Sequence, residues 1–302
     1  MRFLVTGVKG QLGHDVVKEL KTRGFNDILE YDIEQMDITN KNHVDSCIID
    51  GNVDVVIHCA AYTQVDKAEE NEEIARKINV DGTENIAKAS LKAGAKLIYI
   101  STDYVFDGNK ELGKIYEVND KVNPLSVYGK TKYEGEEKAK INPKHFIVRT
   151  SWVFGVNGNN FVKTMLRLSE EKDEINVVSD QYGSPTYTVD LAKLLVDMSL
   201  TDKYGTYHAN NEGYTNWSTF AKAIFFINEK DTKVNEIKTE DYKTKAVRPK
   251  NSCLSKDSLD KNGFNRLPDW YNALKRYSYE LIQNEKLKQE EEKKLKLSRR
   301  EK

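Results

Sequence analysis

Tyr128 and Lys132 stand four residues apart in the segment LSVYGKTKYEGE (125–136), which is predicted to open a helix. Residues at this spacing are neighbours on one helical face. Free tyrosine has a pKa of about 10 and is a poor proton donor or acceptor at neutral pH. An adjacent ammonium would lower the pKa of the phenol, so the pair could carry general acid–base chemistry. Chance spacing of two common residue types is the alternative.

A hydroxyl side chain precedes this pair along the chain. The segment STDYVF (101–106) begins at the end of the predicted strand KLIYIST (96–102). Ligands of open α/β sheets bind at the carboxyl ends of the strands, so Thr102 would hold a substrate oxygen beside the Tyr128 phenol. With a hydride from a nicotinamide, this set of residues would reduce a ketone to an alcohol. Thr102, Tyr128 and Lys132 are therefore the candidate catalytic residues.

A glycine loop lies between the first predicted strand, RFLVT (2–6), and a predicted helix over residues 11–23. It places Gly7, Gly10 and Gly13 three residues apart in VTGVKGQLGHD. Without Cβ atoms, the loop would let a pyrophosphate approach the backbone N–H groups at the helix N-terminus. A simple turn is the alternative, but the position after the first strand favours a dinucleotide site.

Asp32 ends the second predicted strand, and there a carboxylate would accept hydrogen bonds from the ribose hydroxyls of an adenosine. That arrangement favours NAD, because the carboxylate would repel a 2′-phosphate. Lys9, inside the glycine loop, could offset the charge of such a phosphate. A surface aspartate in a turn remains an alternative for Asp32, and the choice between NADH and NADPH stays open.

Short β-branched runs alternate with longer amphipathic stretches through the first half of the chain. This alternation predicts an α/β protein with a Rossmann-type, doubly wound parallel sheet. The runs show little polar alternation, as expected of strands covered on both faces. A helix over residues 72–93 is predicted to end at Gly94. The predicted strands are RFLVT (2–6), DILEYD (27–32), VDVVIHCAA (53–61), KLIYIST (96–102) and HFIVRTS (145–151).

Three regions are predicted from the change of pattern along the chain. Residues 1–151 would form the dinucleotide-binding domain. Residues 152–283, with helices near 160–172, 189–199 and 217–228, would form a smaller α/β substrate lobe partly interleaved with the first. Residues 284–302 are densely charged and are predicted to be a solvated helix or a disordered tail.

Composition narrows the class of protein. The 302 residues are 31% charged and 38% hydrophobic with a net charge of −1, which indicates a globular chain and gives no electrostatic footprint for nucleic acid. No apolar run is long enough for a bilayer span, and no signal peptide is recognised. The three cysteines are scattered, which suits a reducing compartment. We therefore expect a cytoplasmic protein without a membrane or nucleic-acid partner.

These motifs resemble those of the extended short-chain dehydrogenases/reductases, whose pattern is T-G-x-x-G-x-x-G, then Ser or Thr, then Tyr-x-x-x-Lys. Within them, the chain is most similar to the dTDP-4-dehydrorhamnose reductase family, and the similarity covers nearly everything except the charged tail. The segments that carry it are TGVKGQLG (6–13), AAYTQVDKAE (60–69), STDYVFDG (101–108), NPLSVYGKTKYEGE (123–136), RTSWVFG (149–155), NNFVKTML (159–166), DQYGSPTY (180–187) and RPKNSCLS (248–255).

The resemblance implies NAD(P)H-dependent reduction of the C4 ketone of a dTDP-linked 4-keto-6-deoxy sugar, in a monomer or homodimer. Tyr128 would donate the proton, and Lys132 would tune it and hold the nicotinamide ribose. Trp152 would pack its flat indole against the deoxysugar ring, with ordinary core packing as the alternative. The implied cofactor residues are Gly7, Gly10, Gln11, Leu12, Gly13, Asp32, Asp37, Ile38, Ala60, Ala61, Tyr62, Thr63, Tyr128 and Lys132. The implied substrate residues are Thr63, Val65, Thr102, Asp103, Tyr104 and Trp152.

The sequence departs from the closest pattern at His58 and Cys59, where many of these reductases have Asn-Ala. For Cys59, the preferred interpretation is a small buried apolar side chain. Some relatives join two subunits through magnesium held by acidic residues. Asp15 and Asp190 fall near those positions, but the full acidic cluster is missing, so we expect no essential metal.

Other functions remain open at this stage. A 4-epimerase uses the same Tyr and Lys but returns the hydride to its substrate. A dehydratase of this superfamily has an Asp-Glu pair after the threonine, whereas here Asp103 is followed by Tyr104. Another nucleotide-sugar 4-ketoreductase is a third alternative. A non-catalytic dinucleotide-binding subunit is disfavoured, because such proteins usually lose the Tyr or the Lys.

Overall fold

The computed structural model describes residues 1–298, as backbone alone at residue 285 and residues 288–298. Each predicted strand of the first half is present, with ends that differ by no more than a few residues. The strands are β1 (Phe3–Thr6), β2 (Ile28–Tyr31), β3 (Val55–His58), β4 (Lys96–Thr102), β5 (His145–Thr150), β6 (Val153–Phe154), β7 (Glu174–Val178), β8 (Tyr182–Gly183), β9 (Thr186–Tyr187), β10 (Gly205–His208), β11 (Asn211–Glu212), β12 (Thr215–Asn216), β13 (Lys233–Ile237) and β14 (Leu267–Asp269).

The helices follow the predicted positions closely. The predicted helix over residues 72–93 is two α-helices joined by a π-helical segment, and Gly94 ends it in the left-handed conformation with φ of 70°. The α-helices are α1 (Gln11–Thr22), α2 (Lys41–Asp45), α3 (Val65–Ala68), α4 (Glu72–Arg76), α5 (Thr83–Ala93), α6 (Val127–Ala139), α7 (Phe161–Glu171), α8 (Thr188–Ser199), α9 (Trp217–Ile227), α10 (Asp257–Lys261) and α11 (Trp270–Ser298).

The fold is built on a six-stranded sheet in the order β10-β5-β4-β3-β1-β2, and every pairing in it is parallel. Apolar side chains of α1 and α8 cover one face, and those of α2 and α5 cover the other. Burial on both faces explains why the strand sequences lack polar alternation. The predicted α/β class with a doubly wound parallel sheet is confirmed.

Helix α6 is positioned against the end of β4 by two local features. The Ser126 hydroxyl accepts a hydrogen bond from the Gly129 N–H at 3.1 Å and caps the helix N-terminus. A Cβ at Gly129 would lie 2.3 Å from the Tyr104 carbonyl oxygen. Glycine at this position therefore allows α6 to approach the segment after β4, and this brings Tyr128 close to Thr102.

The chain after β5 contributes to both parts of the molecule. Strand β10, which was predicted as part of the smaller lobe, pairs with β5 and extends the central sheet. The short pairs β6–β9, β7–β13, β8–β12 and β11–β14 lie outside that sheet. Side chains of α7, α9 and α11 form a separate apolar cluster with Phe154 and Tyr187. The division of the chain at residue 151 stays a prediction.

The C-terminal segment is helical for most of its length. Helix α11 continues to Ser298, and the last four residues of the predicted tail lie outside the described residues. Between residues 1 and 298, no helix combines the length and apolar character that a bilayer span requires.

Candidate active site

A cleft of about 680 Å³ opens at the carboxyl ends of β1, β3, β4 and β5. It contains most of the predicted site residues, although they come from segments far apart in the chain. Its lining residues are Gly7, Lys9, Gly10, Gln11, Leu12, Gly13, Asp32, Cys59, Ala60, Ala61, Thr63, Val65, Ile100, Ser101, Thr102, Asp103, Tyr104, Tyr128, Lys132, Thr150, Ser151, Trp152, Val153, Asn159, Trp217 and Arg248.

The glycine loop packs too tightly for side chains. Gly7 has φ of 69°, and a Cβ there would lie 2.9 Å from the Ala60 nitrogen. A Cβ at Gly13 would lie 2.3 Å from the Gly7 carbonyl oxygen. The loop leads directly into α1, whose first N–H groups are available to an anion. These features fit the pyrophosphate of a dinucleotide.

Gln11 ties this loop to the segment after β5. Its side-chain oxygen accepts hydrogen bonds from the Gly155 N–H at 2.9 Å and from Asn160 Nδ2 at 3.0 Å. The Asn157 amide also donates to the Lys9 carbonyl at 2.8 Å. The side-chain oxygen of Gln11 is thus engaged within the protein, and its backbone N–H lies in the first turn of α1, where a phosphate would bind.

Asp32 lies at the end of β2, on the cleft wall. Its carboxylate accepts hydrogen bonds from the backbone N–H groups of Lys9 at 3.0 Å and Ile33 at 2.9 Å. The Lys9 ammonium forms an ion pair with Glu34 at 2.6 Å. The charge of Lys9 is thus shared with Glu34 in an exposed ion pair, and its role towards a 2′-phosphate stays a prediction.

A smaller pocket of about 350 Å³ adjoins the cleft beside β2 and includes Asp37 and Ile38. The Asp37 carboxylate accepts hydrogen bonds from the Thr39 N–H at 2.9 Å and the Thr39 hydroxyl at 2.8 Å, and these bonds lower its pKa. Apolar side chains, among them Ile33, Met36 and Ile38, line the rest of the pocket. Its position beyond Asp32 suits the flat adenine base.

Tyr128 lies in the cleft beside Thr102, with its ring edge-on to that of Tyr104 at a centroid distance of 5.5 Å. The expectation of a lowered pKa was wrong for this structure. Burial raises the pKa of the Tyr128 phenol above its usual range, and a hydrogen bond with the Thr102 hydroxyl acts in the opposite direction without cancelling it. The cause is desolvation, which disfavours the phenolate.

Lys132 is buried one helical turn after Tyr128. Its ammonium lies 4.2 Å from the centroid of the Tyr99 ring, and the Tyr99 hydroxyl donates to its backbone carbonyl at 3.1 Å. Burial lowers the pKa of Lys132 to about 7, while the negative charge of Glu136 raises it. A lysine with this pKa is only partly protonated at neutral pH, which weakens its effect on the phenol.

Glu136 lies beneath Lys132 and is fully buried. Arg149 binds it with both Nε at 2.8 Å and Nη2 at 2.7 Å, and the Ser101 hydroxyl donates to it at 2.5 Å. Such a bidentate, charge-assisted pair is among the strong hydrogen-bonded contacts of a protein interior. It connects the site helix α6 to strands β4 and β5.

Asp103 is buried at the base of the cleft next to Thr102. The Thr102 hydroxyl donates to its carboxylate at 2.9 Å, and the Ser252 hydroxyl also donates to it. Burial raises the pKa of Asp103 to about 6, although these hydrogen bonds lower it. The Tyr104 hydroxyl accepts from Arg248 at 3.2 Å. Asp103 and Tyr104 both line the cleft, and their contact with a sugar stays a prediction.

Trp152 forms part of the cleft wall in an unusual backbone conformation, with φ of 50°. For a bulky residue this conformation is strained, and the surrounding contacts must hold it. Its indole stacks on Trp217 with ring centroids 3.6 Å apart. On the neighbouring β8, a Cβ at Gly183 would approach the Trp152 ring to 2.9 Å. Trp152 is thus held in a slot formed by Trp217 and Gly183.

The segment after β3 supplies one side of the cleft. Ala60, Ala61, Thr63 and Val65 line it, as predicted. Tyr62 is not among the lining residues of the cleft, and its contact with the cofactor stays a prediction. Its ring packs against a small cluster of Ala68, Ala75 and Val127, and its N–H donates to Asn79 at 2.8 Å.

Trp217 and Arg248 are among the cleft residues that were not predicted as site residues. Trp217 comes from the start of α9, and its sequence context YTNWST shows only a helix start. Arg248 lies in the quoted segment RPKNSCLS, and its guanidinium donates to Asp66 at 2.6 Å. Trp217 has no local sequence signal of function, and the family resemblance of its segment assigned no role to Arg248, because both reach the cleft only through tertiary packing.

His58 is the last residue of β3, and Cys59 follows it at the edge of the cleft. His58 is buried and contacts the Thr6 hydroxyl at 2.8 Å through Nδ1. Burial lowers the pKa of His58 to about 3 and raises the pKa of the Cys59 thiol to about 12. Cys59 packs against the apolar core on one face of the sheet. Both side chains are therefore neutral packing groups.

Asp15 and Asp190 are bound by protein groups. Asp15 accepts a hydrogen bond from the Thr188 hydroxyl, and Asp190 binds Arg276 through both carboxylate oxygens, at 2.8 and 2.5 Å. Among the residues whose side chains the structure describes (1–284, 286 and 287), no group of three or more His, Cys, Asp or Glu is arranged to hold a metal ion.

A glycine loop after the first strand of a parallel sheet, with a Thr after the fourth and a Tyr–Lys pair on the next helix, defines the short-chain dehydrogenases/reductases. The chain is a member of that class.

Comparison with known proteins identifies the family within this class. The family model described as RmlD substrate binding domain matches residues 1–282. The dTDP-4-dehydrorhamnose reductase of Aggregatibacter actinomycetemcomitans is 44% identical over 287 residues, which cover 91% of this chain and 97% of that protein. The chain therefore belongs to the dTDP-4-dehydrorhamnose reductase family.

Two crystal structures of similar proteins agree with this conclusion. A dTDP-4-dehydrorhamnose reductase from Clostridium acetobutylicum is 44% identical, with a TM-score of 0.90 and coverage of 94% of this chain and 100% of that chain. The enzyme from Bacillus anthracis, solved in complex with NADP, is also 44% identical, with a TM-score of 0.89 and coverage of 92% and 99%.

Proposed function

We propose that this chain reduces the C4 ketone of dTDP-4-dehydro-L-rhamnose to give dTDP-L-rhamnose, with NADPH or NADH as the hydride source. The observation that carries this proposal is the convergence of Thr102, Tyr128 and Lys132 in the cleft that also contains the glycine loop. Membership of the reductase family supports the choice of sugar nucleotide. The product would serve nucleotide-sugar and cell-surface polysaccharide biosynthesis.

In this proposal, three side chains take part in the reduction of the ketone. The bound nicotinamide supplies a hydride to C4. Tyr128 gives its proton to the oxygen at C4, which becomes the hydroxyl of the product. The Thr102 hydroxyl holds that oxygen beside the phenol, and Lys132 favours the phenolate that is left after the proton has moved.

The raised pKa of Tyr128 suits the direction of this reaction. A phenol with a pKa above its usual range keeps its proton at neutral pH, so the free enzyme holds Tyr128 in the donor form. After the proton has been transferred, Tyr128 is left as a buried phenolate, which is unfavourable and must be stabilised. A protonated Lys132 would supply that stabilisation, together with the Thr102 hydroxyl once its proton turns from Asp103 to the phenolate.

The choice of reduced cofactor has opposing indications. Asp32 and Glu34 place carboxylates beside the expected ribose position, and Lys9 is paired with Glu34, which favours NADH. The similar protein from Bacillus anthracis was solved with NADP, which favours NADPH. We propose that both are accepted and that the ratio of their kcat/KM values is set by this cluster of charges.

The decisive experiment follows the absorbance of NADPH or NADH during incubation with dTDP-4-dehydro-L-rhamnose. One reduced cofactor consumed per sugar reduced is the expected result. Conversion of a sugar without net consumption would indicate a 4-epimerase and would overturn the proposal. Binding of cofactor without turnover of any 4-keto sugar nucleotide would indicate a non-catalytic dinucleotide-binding subunit.

The remaining features of the proposal concern context. We propose a cytoplasmic monomer or homodimer that acts on a dTDP-linked sugar and binds neither nucleic acid nor membrane. We also propose that residues 1–151 mainly bind the cofactor and residues 152–283 mainly bind the sugar nucleotide, with β10 shared between them. Size-exclusion chromatography with light scattering would decide the oligomeric state.

A further inference from the structure

Thr150 ends β5 and is aligned with Thr102 of β4 in the parallel register. Both residues line the cleft, and Thr150 is only 4% exposed. Its hydroxyl oxygen has no hydrogen-bond partner anywhere in the described part of the chain. Three other buried side-chain atoms share this property, on Ser90, His208 and Asn210, but of the four residues Thr150 alone lines the cleft.

An unpartnered buried hydroxyl is unfavourable for folding, because it loses its hydrogen bonds to water and gains none in return. Valine would fill nearly the same volume at this position without that loss. A threonine at the floor of a ligand cleft therefore indicates that the missing partner arrives with the ligand.

The order of strands indicates which ligand reaches Thr150. From Asp32 at β2, the sheet runs through the glycine loop at β1, then β3 and β4, to Thr150 at β5. Neighbouring strands are about 4.8 Å apart, so β5 lies about 14 Å from β1. A dinucleotide with its adenosine at Asp32 and its pyrophosphate at α1 would extend its nicotinamide towards β4 and β5.

The sugar nucleotide would approach from the other side of the cleft. Trp152, Trp217 and Arg248, which belong to the part of the chain after β5, form that wall and are more exposed than Thr150. Thr150 lies on the sheet floor beside Thr102, which would hold the reacting ketone oxygen, and there the nicotinamide would end. We propose that the Thr150 hydroxyl binds the carboxamide of the nicotinamide, an inference that rests on the proposed function.

The test uses Thr150→Val, with Thr150→Ser as the variant that keeps the hydroxyl. NADPH affinity is measured by fluorescence titration without sugar. The affinity for 2′-phospho-ADP-ribose, which lacks the nicotinamide, is measured by its displacement of NADPH in the same titration. We expect Thr150→Val to weaken NADPH binding about 5- to 20-fold, the usual size of one hydrogen bond, and to leave 2′-phospho-ADP-ribose binding unchanged. Thr150→Ser should bind NADPH within about threefold of the wild type, since it loses only a methyl group.

Urea unfolding of the free protein provides an independent readout. Thr150→Val should be as stable as the wild type or more stable, because it removes an unsatisfied group. Two control variants are compared with Thr150→Val in both measurements. Ser90→Ala removes another unpartnered hydroxyl away from the cleft and should change neither binding nor stability much. Thr188→Val removes a hydroxyl bonded to Asp15 and should lower stability without changing cofactor affinity.

Three outcomes would overturn the inference. Equal loss of affinity for NADPH and 2′-phospho-ADP-ribose would show a general distortion of the site. Unchanged NADPH binding with a higher KM for the sugar alone would show that the hydroxyl serves the sugar. A clear loss of stability in Thr150→Val would show a partner within the protein. Failure of the proposed function is distinguishable, because the wild type itself would then not reduce the ketone.

Discussion

Gly183 offers a direct way to disturb the placement of Trp152. A Cβ at Gly183 would lie 2.9, 3.0 and 3.1 Å from three atoms of the indole. Carbon atoms in contact are normally about 3.5–4.0 Å apart, so the methyl group of Gly183→Ala would have to displace the ring by about 0.5 Å or more. Stacking on Trp217 restricts the movement of that ring. Gly183 does not have a positive φ, so alanine would add no backbone strain.

Overpacking of this kind costs about 1–3 kcal/mol, and each 1.4 kcal/mol is a factor of ten in an equilibrium constant. We therefore expect Gly183→Ala to lower the free energy of unfolding by about 1–3 kcal/mol and to raise KM for the keto sugar by about 5- to 100-fold. KM for NADPH should stay nearly unchanged, because the slot does not include the glycine loop.

The assay combines urea unfolding with steady-state kinetics, in which the absorbance of NADPH is followed while each substrate is varied in turn. Phe226→Ala is the matched control, since Phe226 lies on the same helix as Trp217 but is 78% exposed. It should behave as the wild type in both measurements. A Gly183→Ala protein with wild-type KM for the sugar would refute the argument that the slot positions Trp152 for the substrate.

Three further substitutions test the residues around the phenol. Tyr128→Phe should lower kcat by about 10²- to 10⁴-fold and leave the NADPH dissociation constant unchanged in fluorescence titration, because only the proton source is lost. For Lys132, the pKa is about 7 in the folded protein and about 10.4 in the unfolded chain, so the unfolded state binds more protons between these values. The free energy of unfolding should therefore rise with pH across that window, and urea unfolding of Lys132→Met should show a smaller rise. Glu136→Ala would leave Arg149 buried without its partner and should cost about 3–5 kcal/mol in urea unfolding, whereas Glu137→Ala, which breaks an exposed pair, should cost less than about 1 kcal/mol.

One possible result would contradict each of these three predictions. Near-normal turnover by Tyr128→Phe would remove the phenol from the reaction. An identical pH dependence of stability in Lys132→Met and the wild type would show that the lysine titrates normally. Equal costs for the two glutamate variants would mean that the buried pair contributes no more than a surface pair.

The fold was predictable from the sequence because its signals are local. Apolar strands such as KLIYIST alternate with helices that begin after a glycine loop or a serine cap and end at a glycine such as Gly94. The spacing of Tyr128 and Lys132 is also local, since one helical turn brings them together wherever the helix lies. The carboxyl edge of a parallel sheet then gathers the ends of β1, β3 and β4, so the central residues of the cleft could be identified before the structure was known.

Other features of the site depend on tertiary packing, and local sequence patterns do not reveal them. Trp217 joins the site from a segment with no functional signal of its own. Gly183 and Arg248 lie in segments that carry the family resemblance, but no role was assigned to either residue, because only the folded chain brings them to the site. The pKa of Tyr128 was predicted with the wrong sign for the same reason. Spacing along a helix shows that a cation is near, but burial, which is a property of the whole fold, determines whether desolvation outweighs that charge.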